Sequence, residues 1–326
     1  MMRRLTALAA ALALSACATA GPVPEWRDAG DGWTAAAAQA RTIGLGVPGG
    51  ALLAQGVSFA GGIEIVLTPD SPLHSLSDLK LTDGRDFVSV TDAGDLVRGR
   101  LRLDGRGRLT GVEALRLRRL TLEDGAPISE KSDGDAEGLF LGPEGEVAVS
   151  FERRHRLWSY GPLDALAARP TPLAAPEMSF GPNDGMEGIS IAPDGWRVAG
   201  ESGGVWDCAP AGCREVVAPP AEPIADSDYR ITGMDLDPDG DDFWVVERLF
   251  RAPADVRGRI RRMAADGTMG PVLVELSLPS TVDNFEGIAA MRQGDNIRLY
   301  ILSDDNSNPL QRTLLLAFDV EIGSRQ

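Results

Sequence analysis

The sequence predicts an all-β chain folded as a six-bladed β-propeller, and three observations carry that expectation. The first is a recurring phrase: Glu-Gly with apolar residues, a turn, and then a second apolar run ending in an acid. The second is the regularity of the phrase. Its glycines fall at 138, 188, 233 and 287, at intervals of 50, 45 and 54 residues. A period near 50 points to radially repeated four-stranded sheets. The third is composition, with 38 Gly and 22 Pro against 18 aromatic residues in 326 positions, a balance that suits short strands and many turns. The rival fold, a β-sandwich or a pair of them, has no reason to repeat so evenly.

Element by element, the first copy is degenerate. It runs from Asp78-Leu79-Lys80-Leu81 through Asp83-Gly84-Arg85 to Phe87–Asp92. The second joins Glu137–Leu141 to Val147–Glu152 through Gly142-Pro143-Glu144-Gly145. The third joins Glu187–Ile191 to Val198–Glu201 through Pro193-Asp194-Gly195, and the fourth joins Thr232–Leu236 to Phe243–Glu247 through Pro238-Asp239-Gly240. The fifth joins Glu286–Ala290 to Leu299–Asp304 through Gly294-Asp295-Asn296. Each reads as a hairpin of short strands. Length leaves room for a sixth blade, expected from Ile43–Leu67 and closed by the C-terminal strand Leu314–Phe318. Leu163–Ala175, rich in Ala and Pro, reads as a connection between blades.

The first 16 residues read as an address. Arg3 and Arg4 precede an Ala/Leu run from Leu5 to Leu14 that is too short to span a bilayer as a helix, and Leu14-Ser15-Ala16-Cys17 follows. This arrangement resembles a bacterial lipoprotein signal, with Cys17 lipidated after cleavage. The expected organisation is therefore signal peptide 1–16, lipidated Cys17 and linker 17–40, and propeller 41–326. The expected location is the periplasmic side of the envelope, on the outer membrane, with contact to the bilayer through the lipid alone. Cys208 and Cys213, separated by four residues around a Pro/Gly turn, are expected to form a hairpin disulfide in that oxidising compartment.

Charge narrows the chemistry. With 32 Lys+Arg against 48 Asp+Glu the net charge is −16, which argues against nucleic acid as a partner. Only two histidines occur, His74 and His155, which disfavours a His-based zinc site and gives a Ser/His/Asp triad little support. Residues equidistant from a hairpin turn face each other. Counting from the turns sets Glu137 opposite Glu152, Glu187 opposite Glu201, Glu286 opposite Asp304 and Asp78 opposite Asp92, with Glu247 opposite Thr232/Gly233. Up to nine carboxylates thus gather at one end of the propeller. Like charges so close raise each other's pKa unless a hard cation or a ring of arginines neutralises them. The expected cofactor is Ca²⁺, held by Glu137, Glu187, Glu201, Glu286 and Asp304. A salt-bridge ring is the alternative, and Arg153, Arg154, Arg156, Arg248 and Arg251 are placed for it.

The phrases Asp135-Ala136-Glu137-Gly138, Val149–Arg153, Asn284-Phe285-Glu286-Gly287 and Ser303–Asn306 with Gln311–Leu315 resemble the phytase-like family, "esterase-like activity of phytase", over roughly 55–320. The resemblance implies a propeller and a hydrolase of phosphoesters or carboxylic esters. The pattern is interrupted at Asp78, where no Glu-Gly stands, and at Thr232, in the acid's position. In such an enzyme Glu152 or Glu247 would accept a proton from water, while Arg153, Arg248 and Arg312 would steady a small anionic ester. Two alternatives stay open: a calcium-dependent lactonase-type propeller, with Asn183, Asn284, Asn306 and Asn308 as neutral ligands, and a non-catalytic envelope propeller that binds a ligand.

Overall fold

The computed structural model describes residues 32–68, 71–178, 181 and 183–324. The expected signal peptide and Cys17 lie outside the described residues. Four strands come first: β1 (Thr34–Ala35), β2 (Ala38–Thr42), β3 (Ala51–Leu53) and β4 (Val57–Leu67). Four complete blades follow in chain order. They are β5 (Leu76–Asp83), β6 (Asp86–Thr91), β7 (Asp95–Leu103) and β8 (Leu109–Arg119); then β9 (Ala136–Leu141), β10 (Glu146–Phe151), β11 (Arg156–Pro162) and β12 (Thr171–Pro172). The third blade holds β13 (Met186–Ala192), β14 (Gly195–Gly200), β15 (Val205–Ala209) and β16 (Gly212–Val217). The fourth holds β17 (Arg230–Leu236), β18 (Phe243–Arg251), β19 (Asp255–Met263) and β20 (Met269–Ser277). One helical turn, α1 (Lys131–Gly134), precedes β9.

The chain ends three strands into a fifth blade, with β21 (Asn284–Gln293), β22 (Asn296–Asp304) and β23 (Leu314–Glu321). Its fourth strand is β4, which runs antiparallel to β23 from Leu314↔Glu64 to Val320↔Val57. The propeller expectation therefore stands, but the blade count is five. Ile43–Leu67 pairs with the C-terminal strand as anticipated; it completes the last repeat instead of opening a sixth. The linker expectation is corrected too, because β1 pairs with β8 and β2 with β4, so blade edges begin at Thr34. β3 adds an edge to the fourth blade.

Side-chain bonds between neighbouring blades trace the closed ring. The Leu139 amide donates to Asp78 Oδ2 (2.9 Å), and the Ser150 hydroxyl donates to the Met186 carbonyl (2.7 Å). The Ser190 hydroxyl donates to Asp235 Oδ1 (3.4 Å), Thr232 Oγ1 donates to the Phe285 carbonyl (2.7 Å), and Lys80 Nζ reaches the Ile288 carbonyl (3.5 Å). Apolar side chains fill the wedges between blades. Trp244, Phe285, Ile288, Leu299 and Phe318 pack as one group, and Val88, Val149, Phe151 and Tyr160 as another. Each fully buried aliphatic or aromatic side chain is worth roughly 1.5–3 kcal/mol. The expected disulfide is formed, joining Cys208 to Cys213 across the outermost hairpin of the third blade.

Candidate active site

The acids reach one end of the channel by a device that turn counting overlooks. Ser150 pairs with Gly138 while Phe151 pairs with Ala136, so Glu137 has no partner and forms a β-bulge. The same slip leaves Glu187 unpaired between Met186 and Gly188, Thr232 between Ile231 and Gly233, and Glu286 between Phe285 and Gly287. In the first blade Asp78 and Leu79 are the skipped residues. The face-to-face acid pairs are therefore replaced: the Glu152 amide donates to the Asp135 carbonyl (2.7 Å), and Glu201 to the Gly185 carbonyl (3.1 Å). Asp304 stands opposite Asn284, and Glu247 opposite Ile231.

The glycine after each bulged residue lets the next inner strand come close. A Cβ on Gly138 would lie 2.8 Å from the Glu187 carbonyl, on Gly233 2.5 Å from the Glu286 carbonyl, and on Gly287 2.7 Å from the Asp78 backbone. Glu-Gly is thus one structural unit, in which the bulge turns the acid into the channel and the glycine packs the ring.

Eight carboxylates line the resulting cup: Asp92, Asp135, Glu137, Glu152, Glu187, Glu201, Glu286 and Asp304. For Asp92, Glu137, Glu152, Glu187, Glu201, Glu286 and Asp304 burial is the first cause of a raised pKa, and neighbouring carboxylates add to it. Glu152 is pushed up to about 8 and Glu286 to about 7. Glu137, Glu187 and Asp304 are pushed well above the ordinary carboxylate range, again by burial first.

Cations neutralise two arcs of the cup. Lys131 Nζ bridges Asp92 (2.7 Å) and Asp135 (2.8 Å), and Arg153 pairs with Asp135. Arg248 Nη2 holds Glu201 (2.7 Å), while its Nη1 lies 3.6 Å from Glu286 and donates to Asn284. Arg230 adds a second bond to Glu201 (2.9 Å). Asn284 Nδ2 donates to Glu286 Oε1 at 2.6 Å. Between the arcs, Glu137, Glu152 and Glu187 are only 9%, 7% and 5% exposed. Among the described residues none of these three carboxylates has a hydrogen-bond or ion-pair partner. A Cβ on Gly185 would lie 3.5 Å from Glu152 Cγ and 3.7 Å from Glu187 Oε1, so that glycine leaves open the space between the two.

All five expected metal ligands thus lie in one cup, but Glu201 and Glu286 are already engaged by arginine. Of the expected catalytic residues, Glu152 and Arg153 are at the cup and Arg248 is a strut across it. Glu247 is elsewhere: it stands opposite Ile231 as Phe151 stands opposite Ala136, so Arg248 takes the position that Glu152 holds in the second blade, and Arg259 clamps Glu247 with two bonds of 2.6 and 2.9 Å. Lys131, Asp135 and Arg230 were not singled out from the sequence. Asp135, two residues before Glu137, carried the only available signal. His155 Nε2 bonds the Gly181 carbonyl at 3.0 Å.

Below the cup is a second charged layer, in which Lys80 Nζ meets both oxygens of Asp78 at 2.6 and 2.7 Å. Among the described residues Ser75, Arg153, Asn306 and Ser307, on segments that adjoin the cup acids, adopt positive φ without being glycine. Backbone strain gathered in one place is a mark of a functional site.

Residues 71–307 match the phytase-like family, described as "Esterase-like activity of phytase". The chain belongs to that family. No curated protein matches the sequence. Among solved structures this phytase-like chain is similar to a protein assigned as a gluconolactonase, with 11% identity, 87% of this chain and 93% of that one covered, and a TM-score of 0.46. It is similar to virginiamycin B lyase from Staphylococcus aureus, with 12% identity, 87% and 100% coverage, and a TM-score of 0.41. It is also similar to the Malassezia sympodialis allergen Mala s 1, with 12% identity, 86% and 92% coverage, and a TM-score of 0.42. None of these similarities carries chemistry over to this chain.

Proposed function

We propose that this phytase-like propeller is a hydrolase of small anionic phosphoesters or carboxylic esters, and that its acidic cup holds a hard divalent cation, Ca²⁺. One observation carries the reading: among the described residues Glu137, Glu152 and Glu187, at least nine-tenths buried, form no ion pair. Buried carboxylates in that state take up either protons or a metal ion. The donor set is all oxygen, with neither His nor Cys, and this fits Ca²⁺ rather than Zn²⁺.

Glu137 and Glu187 would hold the ion. When bound, it would polarise the phosphoryl or carbonyl oxygen and acidify a water. Glu152, beside the space left by Gly185, would take the water's proton. Arg153, 40% exposed at the rim, would orient the anionic group of the substrate. Arg248 and Lys131 hold the flanking carboxylates in place. The net charge of −16 repels a large polyanion such as phytate, so smaller esters or lactones are favoured. The sequence signal and the disulfide support an envelope location with a lipid anchor at Cys17.

The test uses the non-lipidated chain beginning at Ala18. Metal content is measured alongside turnover of p-nitrophenyl phosphate, bis-p-nitrophenyl phosphate, p-nitrophenyl acetate and a lactone, with and without EDTA. Stoichiometric Ca²⁺ and chelator-sensitive turnover are expected. A folded protein with no metal and no turnover would sink the reading and leave an acid-lined binding propeller.

A further inference from the structure

The molecule is acidic, but its first blade is not. Residues 85–119 hold nine arginines and no lysine against five acids, a net +4 in a chain of −16. We propose that the arginine face of this blade lies on the anionic phospholipid headgroups of the membrane that carries the Cys17 lipid, with the cup opening away from the bilayer. This rests on the envelope and lipid-anchor reading above, not on the hydrolase chemistry.

Strand register puts the charge on one face. Arg98, Arg100 and Arg102 alternate along β7 and so share one side of the sheet, while Val97 and Leu101 are buried on the other, in the core shared with Tyr300 and Leu315 of the fifth blade. Arg116 adds to the arginine side, directly opposite Arg98. Arg98 and Arg100 are 37% and 52% exposed, paired to Asp164 (3.0 Å) and Asp86 (2.7 Å). Arg85, Arg102 and Arg106 are exposed too, and among the described residues their guanidinium groups make no hydrogen bond or ion pair. Arg230, Arg248 and Arg259 each clamp a carboxylate instead. A planar guanidinium offers two parallel donors to a phosphodiester, which is what a phospholipid headgroup presents.

The described chain begins on this same face. β1 is added to the edge of β8 with Ala35 opposite Arg116. The Arg98 guanidinium lies 5.5 Å from the centroid of the Trp33 ring, and a Cβ on Gly32 would lie 3.2 Å from Arg118 Nε. Fifteen residues separate Gly32 from Cys17, and they can span at most about 50 Å. A lipid at Cys17 therefore tethers the molecule by the blade that carries the positive charge.

Distance keeps the acids out of the contact. β6 runs from Asp86 to Thr91 and on to Asp92 at the cup, and Asp86 pairs with Arg100. The turn that holds Arg85 and the turn after β7 that holds Arg106 thus lie at the end of the blade opposite the cup. β7, nine residues long, spans about 30 Å. Charges at a surface are screened over about 8 Å at physiological ionic strength. Headgroups beneath the basic turns therefore meet the arginines, and the carboxylates of the cup are screened from them.

The experiment measures partition of the chain beginning at Ala18 onto protein-free vesicles of phosphatidylcholine with and without 30 mol% phosphatidylglycerol. Binding is expected only with phosphatidylglycerol, and it is expected to weaken as salt is raised from 50 to 200 mM. An arginine at an anionic surface contributes roughly fivefold to partition, so Arg85→Gln/Arg102→Gln/Arg106→Gln should lose roughly 10²-fold. Arg214→Gln/Arg292→Gln, which removes two exposed arginines from other blades, should lose less than about threefold. No binding to phosphatidylglycerol, or equal losses in the two variants when both melt at the wild-type temperature, overturns the docking face alone. Binding to native membranes that is abolished by protease treatment of those membranes, with none to the vesicles, would also overturn it and assign the face to a protein partner. In cells, Cys17→Ala should release the chain from the membrane fraction. A wild type whose Cys17 carries no lipid overturns the anchor reading and this one with it, and leaves the hydrolase reading as it stands.

Discussion

Lys80 and Asp78 show how costly charge is inside this channel. Even with the ammonium group 2.6 Å away, burial pushes Asp78 up to about 7. Lys80→Met would strand that carboxyl, and breaking a buried pair in this way costs about 3–5 kcal/mol. Urea unfolding of Lys80→Met should show a loss of that order, with most of it recovered in Lys80→Met/Asp78→Asn. A loss below about 1 kcal/mol would mean that the pair contributes little. The sequence singled out Asp78 as an irregular repeat position and gave no sign of its partner. Lysine two residues along a regular strand would share its face, but the slip at Asp78 and Leu79 makes this pairing a matter of local geometry.

Among elements, the bulged inner strand is the unit that repeats. The Glu-Gly pairs were legible, and so was their gathering at one end. Their register was not, because counting from a turn assumes an unbroken ladder and a bulge shifts every residue beyond it by one. Glu247, counted into the ring, stands one position short of it, opposite Ile231 as Phe151 is opposite Ala136, and pairs with Arg259 instead. The glycine is predicted to be the sensitive member of each pair. A Cβ on Gly233 would sit 2.5 Å from the Glu286 carbonyl, a backbone atom with little freedom to retreat. Gly233→Ala should cost roughly 1–3 kcal/mol by overpacking. A control at Gly240, whose Cβ would meet nothing within 4 Å, should cost much less. Equal effects at both positions would remove close packing as the reason for the glycine.

The whole molecule couples its stability to the cup. Burial raises Glu152 from an ordinary 4.5 to about 8 and Glu286 to about 7. The folded chain therefore binds these protons more tightly than the unfolded chain does. That stabilisation is complete below the unfolded pKa and is lost as pH rises through the folded values. His74, also raised, acts in the same direction. In EDTA the melting temperature should fall between about pH 5 and about pH 8, and Ca²⁺ should raise it more at the upper pH, where it takes the place of the departed protons. A melting temperature that climbs over this window without metal would show that the cup's acids are neutralised in some other way.

What the sequence determined by itself was whatever depends on local pattern: short strands from apolar runs, turns from Pro-Asp-Gly, the fifty-residue period, the disulfide across one tight turn, and acids at a common end. The rest depends on closure. The number of blades is five because β4, at the start of the chain, lies against β23 at its end, and no local signal states how many wedges complete a circle. Closure also chose which acids were neutralised. Arg230, Arg248 and Lys131 reach Glu201, Glu286 and Asp92 from other parts of the chain, while among the described residues Glu137, Glu152 and Glu187 form no ion pair. Charge pairing acts through space over a few ångströms. Residues more than forty positions apart in the chain, such as Arg248 and Glu201, find each other only once the ring has formed.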